Sequence, residues 1–179
     1  VLINDLKYSS IPRIKTIGFV SKFNLLLKNV STESDNSKEY TNKFRSQNYG
    51  SILYDVLYPL KKEGNTFDNF LTGKASFMYS PNKNKNVKNL DRIIDINNIY
   101  SQNRLGLDDS VEGGQSITLG GEYKITDKEN NSILTAGLAS VLRDKNEDKL
   151  PINSTINNKS SDFIGALNFK PNKNFTFDY

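Results

Sequence analysis

Three residue types are missing from this 179-residue chain, which has no cysteine, no histidine and no tryptophan. Without cysteine there is no disulfide framework and no thiolate metal site within it. Without histidine there is no Ser-His-Asp triad and no imidazole acid–base chemistry. The missing thiols do not fix a compartment, because many envelope proteins also lack disulfides. No apolar run approaches the ~18 residues of a membrane-spanning helix, although a barrel strand needs only ~9–11 and leaves a weaker trace. The chain opens on "VLINDLKYSS", with no initiator methionine and no basic stretch before an apolar one, and it stops on "NFTFDY" inside an alternating pattern. Both features are those expected of an internal section of a longer protein, lying within a single domain over residues 1–179.

What charge there is does not point to nucleic acid. The net charge is +4, and the lysines fall in polar stretches such as "PNKNKNVKN" rather than in a basic stripe interleaved with aromatics. Solvated loops account for them.

Period two dominates the rest. "IGFVSKFNLLLKNV" sets Ile17, Phe19, Phe23, Leu25 and Leu27 against Gly18, Lys22, Asn24 and Lys28, with Val20 and Leu26 as exceptions. "GSILYDVLYP" aligns Ile52, Tyr54, Val56 and Tyr58. "NFLTGKASFMYS" places Leu71, Ala75, Phe77 and Tyr79 opposite Thr72, Lys74 and Ser76. "GQSITLGGEYKIT" places Ile117, Leu119, Tyr123 and Ile125 opposite Thr118, Glu122 and Lys124. Leu134 and Leu138, then Leu167 and Phe169, continue the apolar series, and Phe175, Phe177 and Tyr179 close it. The pattern predicts about seven strands and no helix, with "DRIIDINNIY" left between strand and helical turn.

Long and short polar connections alternate between these strands. An up-and-down antiparallel meander in an outer-membrane barrel has that phase, with long loops on one side and tight turns on the other. A soluble sandwich has no reason to keep it. Tyr58, Phe70, Tyr123, Phe169 and Phe175 sit near the short-turn ends, as an interfacial aromatic girdle would. A face carrying Lys74, Thr118, Glu122 and Lys124 suits a wet lumen better than a dry core. Ile52, Tyr54, Val56, Phe77, Leu119, Tyr123, Leu138, Leu167 and Phe169 are the corresponding lipid-facing residues. The fold class expected is therefore all-β, an antiparallel up-and-down meander of about seven strands forming a section of a transmembrane outer-membrane β-barrel. Another outer-membrane barrel (porin, receptor or usher-like) and a soluble all-β carbohydrate-binding domain are the alternatives.

One stretch resembles a reactive site: "NRLGLDDSVEGGQ", from Asn103 to Gln115. Asp108, Asp109 and Glu112 lack the spacing of a calcium loop, and Gly113-Gly114 lacks both phosphate-loop patterns. A glycine pair before a strand is more often a turn or bulge. Neither a catalytic residue, a metal site nor a cofactor follows from these residues.

Asn103, Arg104, Gly106, Leu107, Asp108, Glu112 and Gly113, followed by the strand "SITLGGEY", resemble a motif of the LptD (OstA/Imp) family of lipopolysaccharide-assembly outer-membrane proteins. The likeness extends more loosely through "FLTGKASFMYSP", "VLRDKNED" and "GFVSKFNLLLKNV". It implies a non-enzymatic barrel in the outer membrane of a Gram-negative bacterium. Such a barrel is plugged by an LptE-type lipoprotein and receives lipopolysaccharide from an LptA-type periplasmic bridge. It then inserts the glycolipid sideways into the outer leaflet, in contact with membrane lipid and with no nucleic acid. The motif residues are then structural, with Arg104 and Asp108 expected to pair or cap near a strand end.

Overall fold

A computed structural model describes residues 1–35, 42–92 and 94–179. It contains nine strands: β1 (Leu2–Ser9), β2 (Arg13–Ile14), β3 (Val20–Thr32), β4 (Arg45–Glu63), β5 (Phe67–Ser80), β6 (Gly114–Asp127), β7 (Ser132–Arg143), β8 (Ile164–Asn172) and β9 (Phe175–Asp178). All pair antiparallel in one sheet, ordered β1-β3-β4-β5-β6-β7-β8-β9, with β2 also on β3. The sheet is an open meander with β1 and β9 at its edges. No helix occurs among the described residues.

Seven of these strands are those the alternation predicts; β1 and β2 are additional. They lie in one lane along β3, interrupted around Pro12. The pattern of β1 is weak because Asn4 shares a face with Leu2, Leu6 and Tyr8, while Ile3 shares the other with Asp5 and Lys7. Its register explains the mixture, since Asn4 pairs with Asn29 and Tyr8 with Leu25. The alternation also starts β3 too early. Gly18 takes φ +88° and its N–H donates to the Lys15 carbonyl at 2.8 Å, so Ile17 belongs to a turn.

The register carries each face across the sheet without a break. Tyr54, Phe77, Ile117 and Leu142 form one row, and Asp55, Ser76, Thr118 and Val141 form the row beside it on the opposite face. The first face stays exposed although it is apolar: Leu138 is 52 % accessible, Leu119 46 % and Phe77 41 %. The second face is where burial occurs. The connections 81–113 and 144–163 fold back over its upper half, the half next to the long connections. There Val87, Ile94, Ile99, Leu105, Leu107, Leu150 and Ile156 pack with Ala139 and Val141 of β7. The long connections thus fold over the sheet, where their polar composition suggested solvated loops. Their aliphatic side chains have this face to bury against, and each contributes about 1.5–3 kcal/mol by leaving water. The second half of the ambiguous segment, residues 96–100, is a turn: Asp95 Oδ1 accepts from the Asn97 and Asn98 N–H groups at 2.8 and 2.9 Å.

Candidate functional site

The motif stretch forms the central anchor of this inward-folded material. Asn103 makes its first turn, with Oδ1 accepting from the Leu107 N–H at 2.9 Å and Nδ2 donating to the Leu107 carbonyl at 3.1 Å. Gly106 within that turn has φ +58°, a conformation that side-chain-bearing residues adopt rarely. The turn sends Leu105 and Leu107 into the core and Arg104 toward the sheet. At the far end, the Gly113 N–H donates to Asn84 Oδ1 at 2.7 Å. A Cβ on Gly113 would collide with the Asn82 carbonyl oxygen, so only glycine lets the two segments approach this closely.

Arg104 is sealed and its donors are used. Nε and Nη2 grip the Glu112 carboxylate at 2.9 and 2.5 Å, Nη2 also reaches Ser116 Oγ at 2.8 Å, and Nη1 reaches Thr118 Oγ1 at 3.1 Å. The expected partner of Arg104 was Asp108. The carboxylate is instead that of Glu112, because the Asn103–Leu107 turn reverses the chain. The Asp108 backbone oxygen accepts from Lys28 Nζ at 2.6 Å, and Lys28 also pairs with Asp5 at 3.0 Å. That contact ties edge strand β1 and β3 to the motif.

Glu112 has a second partner, the Arg143 guanidinium at the end of β7. Arg143 Nε in turn donates to the Ile156 carbonyl at 2.7 Å, while its Nη1 has no hydrogen-bond partner. One carboxylate and two guanidiniums, each side chain at most 2 % exposed, therefore join both long connections to β6 and β7. Burial by itself pushes the Glu112 carboxyl up, but Arg104 and Arg143 outweigh it and hold the carboxyl below its ordinary range. A buried triad of this kind adds little net stability compared with apolar packing, yet removing one member leaves an uncompensated charge. Its geometry fixes where the connections sit.

Tyr100 marks how far the connection reaches down the wall. Its ring lies against β6, where a Cβ on Gly120 would strike the Tyr100 hydroxyl and the Leu138 carbonyl oxygen. Its hydroxyl is buried without a hydrogen-bond partner. Burial first and Glu122 second push that phenol up to about 12. Gln102 reaches across to β4, donating to the Ser51 carbonyl oxygen at 2.9 Å and to Ser51 Oγ at 2.8 Å. Leu26, which broke the alternation of β3, pairs with Ser51 and is 5 % exposed, so it belongs to the covered region.

Below Tyr100 the same face changes character. Lys74 pairs with Glu122 at 2.8 Å, and Asp68 accepts from Lys128 at 2.5 Å with Lys61 at 3.4 Å. These side chains are partly open to water, from 13 % for Asp68 to 48 % for Lys128, and of the packed connection Tyr100 reaches Lys74, whose ammonium is 5.9 Å from the Tyr100 ring.

Ile52, Tyr54, Val56, Phe77, Leu119, Tyr123, Leu138, Leu167 and Phe169 fall together on the exposed apolar face. Lys74, Thr118, Glu122 and Lys124 fall together on the opposite face. Thr118, however, is only 2 % exposed and holds Arg104, so its position is dry where a wet one was expected. Of the suggested aromatic girdle, Phe70 lies on the polar face beside Lys61, whose ammonium is 5.7 Å from its ring. Arg143, Lys28 and Tyr100 were missed. For Arg143 a signal existed: it shares the parity of Ala139 and Val141, placing a charge at the covered end of that series. Nothing local marks Lys28, whose partners are 23 and 80 residues away.

A family model described as "LptD: LPS transport system D" matches residues 14–179. A search of curated proteins found no match.

Proposed function

The chain belongs to the LptD family, and from that premise we propose that it is a section of a transmembrane outer-membrane barrel that delivers lipopolysaccharide to the outer leaflet of a Gram-negative bacterium. The observation that carries this reading is the exposed apolar face, which runs from β3 to β9 opposite a polar, partly covered one. A contiguous apolar wall of this width marks an interaction or membrane surface. Strands with apolar-out and polar-in alternation are the form in which a β-protein satisfies its backbone in lipid. In this reading β1 and β9 continue into neighbouring strands of a closed barrel, which removes two open edges. The charged lower half of the inner face, with Lys74, Glu122 and Lys124, lines the aqueous path for the sugars. The acyl chains leave sideways into the bilayer. The chemistry is transport and insertion rather than catalysis. A lipoprotein plug and a periplasmic bridge are its proposed partners.

Arginine scanning tests the assignment. In the complete protein, Leu119→Arg and Leu138→Arg place a cation against lipid, at a cost of about 2–4 kcal/mol near the midplane. Thr135→Arg and Lys124→Arg place it in the lumen. The first pair is expected to lower the amount of assembled, heat-modifiable protein in the outer membrane, and the second pair to leave it near wild type. Equal tolerance on the two faces would refute the membrane reading.

A further inference from the structure

At the long-connection end of the inner face, a groove of ≈ 460 Å³ lies between the wall and the segment that follows β5. Thr32, Gln47 and Tyr49 form part of its floor, and Asn82, Lys83 and Asn84 part of its roof. The roof is fixed in place. Asn82 Nδ2 donates to the Gly50 carbonyl at 2.9 Å and to Ser80 Oγ at 2.8 Å. Asn84 is held by the Gly113 N–H and donates to Glu147 at 2.9 Å. Among the described residues, three cations border the groove against one carboxylate. Lys85 is paired with that carboxylate, Asp109, at 2.5 Å. Arg45 and Lys83 have no carboxylate within ion-pair distance among the described residues and stand exposed at the opening.

We propose that this groove binds the anionic part of a saccharide, a sugar bearing phosphate groups, with Arg45 and Lys83 as its charge-reading residues. The proposal rests on the transport reading for the source of that sugar, and on the groove for its chemistry. A guanidinium and an ammonium over an ordered polar floor suit an oxyanion, because Arg offers a bidentate fork and Lys a point charge. The Gln47 amide nitrogen can donate and the Asn82 amide oxygen can accept, as sugar hydroxyls require, while Asn84 is spent on holding the roof. Tyr49, whose hydroxyl donates to Gln47 Oε1 at 3.2 Å, adds an aromatic side chain to the floor. The groove is preorganised by contacts that do not involve its ligand, so binding orders few side chains at added entropic cost. In the lower half of the inner face Lys74 is paired with Glu122, and Lys61 and Lys128 with Asp68.

The experiment uses the complete protein in detergent, with labelled rough-type lipopolysaccharide as probe and its dephosphorylated form beside it. Arg45→Glu/Lys83→Glu is expected to weaken binding of the phosphorylated probe by about tenfold or more and to leave the dephosphorylated probe unchanged. Arg45→Gln/Lys83→Gln gives a smaller loss, and Lys170→Glu/Lys173→Glu, remote from the groove, gives none. Heat-modifiable gel mobility shows that each variant is folded. If the glutamate variant binds both probes like wild type, the groove proposal falls while the transport reading stands. Displacement of the probe by millimolar inorganic phosphate or by polyglutamate as readily as by unlabelled probe also overturns it, because the groove would then hold any anion. If wild type binds neither probe, the transport reading fails and the groove proposal fails with it.

Discussion

The inner face of the sheet has two halves built on the same strands, and they solve opposite problems. In the upper half, Ser51, Ser76, Ser80, Ser116 and Thr118 point inward, all at most 4 % exposed, among larger apolar residues such as Leu53 and Met78. They leave room for two connections to pack and offer oxygen atoms to what packs there. In the lower half, Lys61, Asp68, Lys74, Glu122 and Lys124 occupy the same parity and remain partly or fully exposed. A long side chain in water can pair loosely, as Lys74 does with Glu122, at little cost and with little gain. A charge in the dry half needs close partners. Arg104 has them in a bidentate carboxylate, two hydroxyls and the Ile99 carbonyl at 3.4 Å. Strand alternation says which way a residue points, whereas side-chain size says whether anything lies on top of it.

The largest expected effect breaks the dry half. Glu112→Gln removes the only carboxylate of the triad and leaves Arg104 and Arg143 buried with like charge. Breaking a buried ion network by one partner costs about 3–5 kcal/mol. Loss of anchoring is expected to expose 81–113 and 144–163 to limited proteolysis while the strands stay protected. Acid alone mimics the change only at low pH. A carboxyl depressed in the folded protein contributes stability above its unfolded value, and that contribution is lost as pH falls through the depressed folded one. The connections should therefore hold through mildly acidic pH, which hydrogen exchange across a pH series would check.

Gly120→Ala comes next. Its methyl needs the space held by the Tyr100 hydroxyl and the Leu138 carbonyl oxygen, and overpacking of this kind costs about 1–3 kcal/mol. A thermal shift with the exposed wall unchanged is the expected result. Tyr100→Phe acts in the opposite direction. The hydroxyl is buried without a partner, so deleting it should stabilise the connection by about 1 kcal/mol. The same deletion should remove one titration from the ultraviolet difference spectrum, the Tyr100 phenol being pushed up to about 12.

Much of the wall was legible in the residues, and most of the anchor was not. Alternation places Leu119 against Thr118 and Phe77 against Ser76 because the strand repeat is two residues and a buried register cannot slip without inverting every side chain. The motif could be recognised as a unit, but its internal pairing could not. Asp108 stands four residues from Arg104 and is the nearer carboxylate along the chain. Only the turn closed by Asn103 and Gly106 brings Glu112 round in its place. Arg143 and Ile156 meet the motif from 31 and 13 residues away, respectively from Glu112 and from Arg143. No local periodicity carries that information. The inward packing of the long connections was likewise hidden, since Ile94, Ile99, Leu105 and Leu150 are spread thinly among polar residues and show their common purpose only when gathered over the sheet.

The smallest effect sharpens the comparison most, because it repeats the largest one's chemistry in the other half. Glu122→Gln also removes one carboxylate facing a basic side chain, ten residues along from Glu112. Its partner Lys74 is 27 % exposed and the Glu122 side chain 37 %. Water and salt take over the role of the lost charge, so the change should cost no more than ~1 kcal/mol and should shrink further at high ionic strength. The two variants, melted side by side in low and high salt, separate dry anchoring from wet pairing without any assumption about what passes through the lumen. A small, salt-sensitive loss for Glu122→Gln beside a large, salt-insensitive loss for Glu112→Gln fits two halves of different dielectric on one continuous sheet. Losses of equal size would mean that the lower half is covered as well, and the open charged path proposed for the sugars would have to be placed elsewhere.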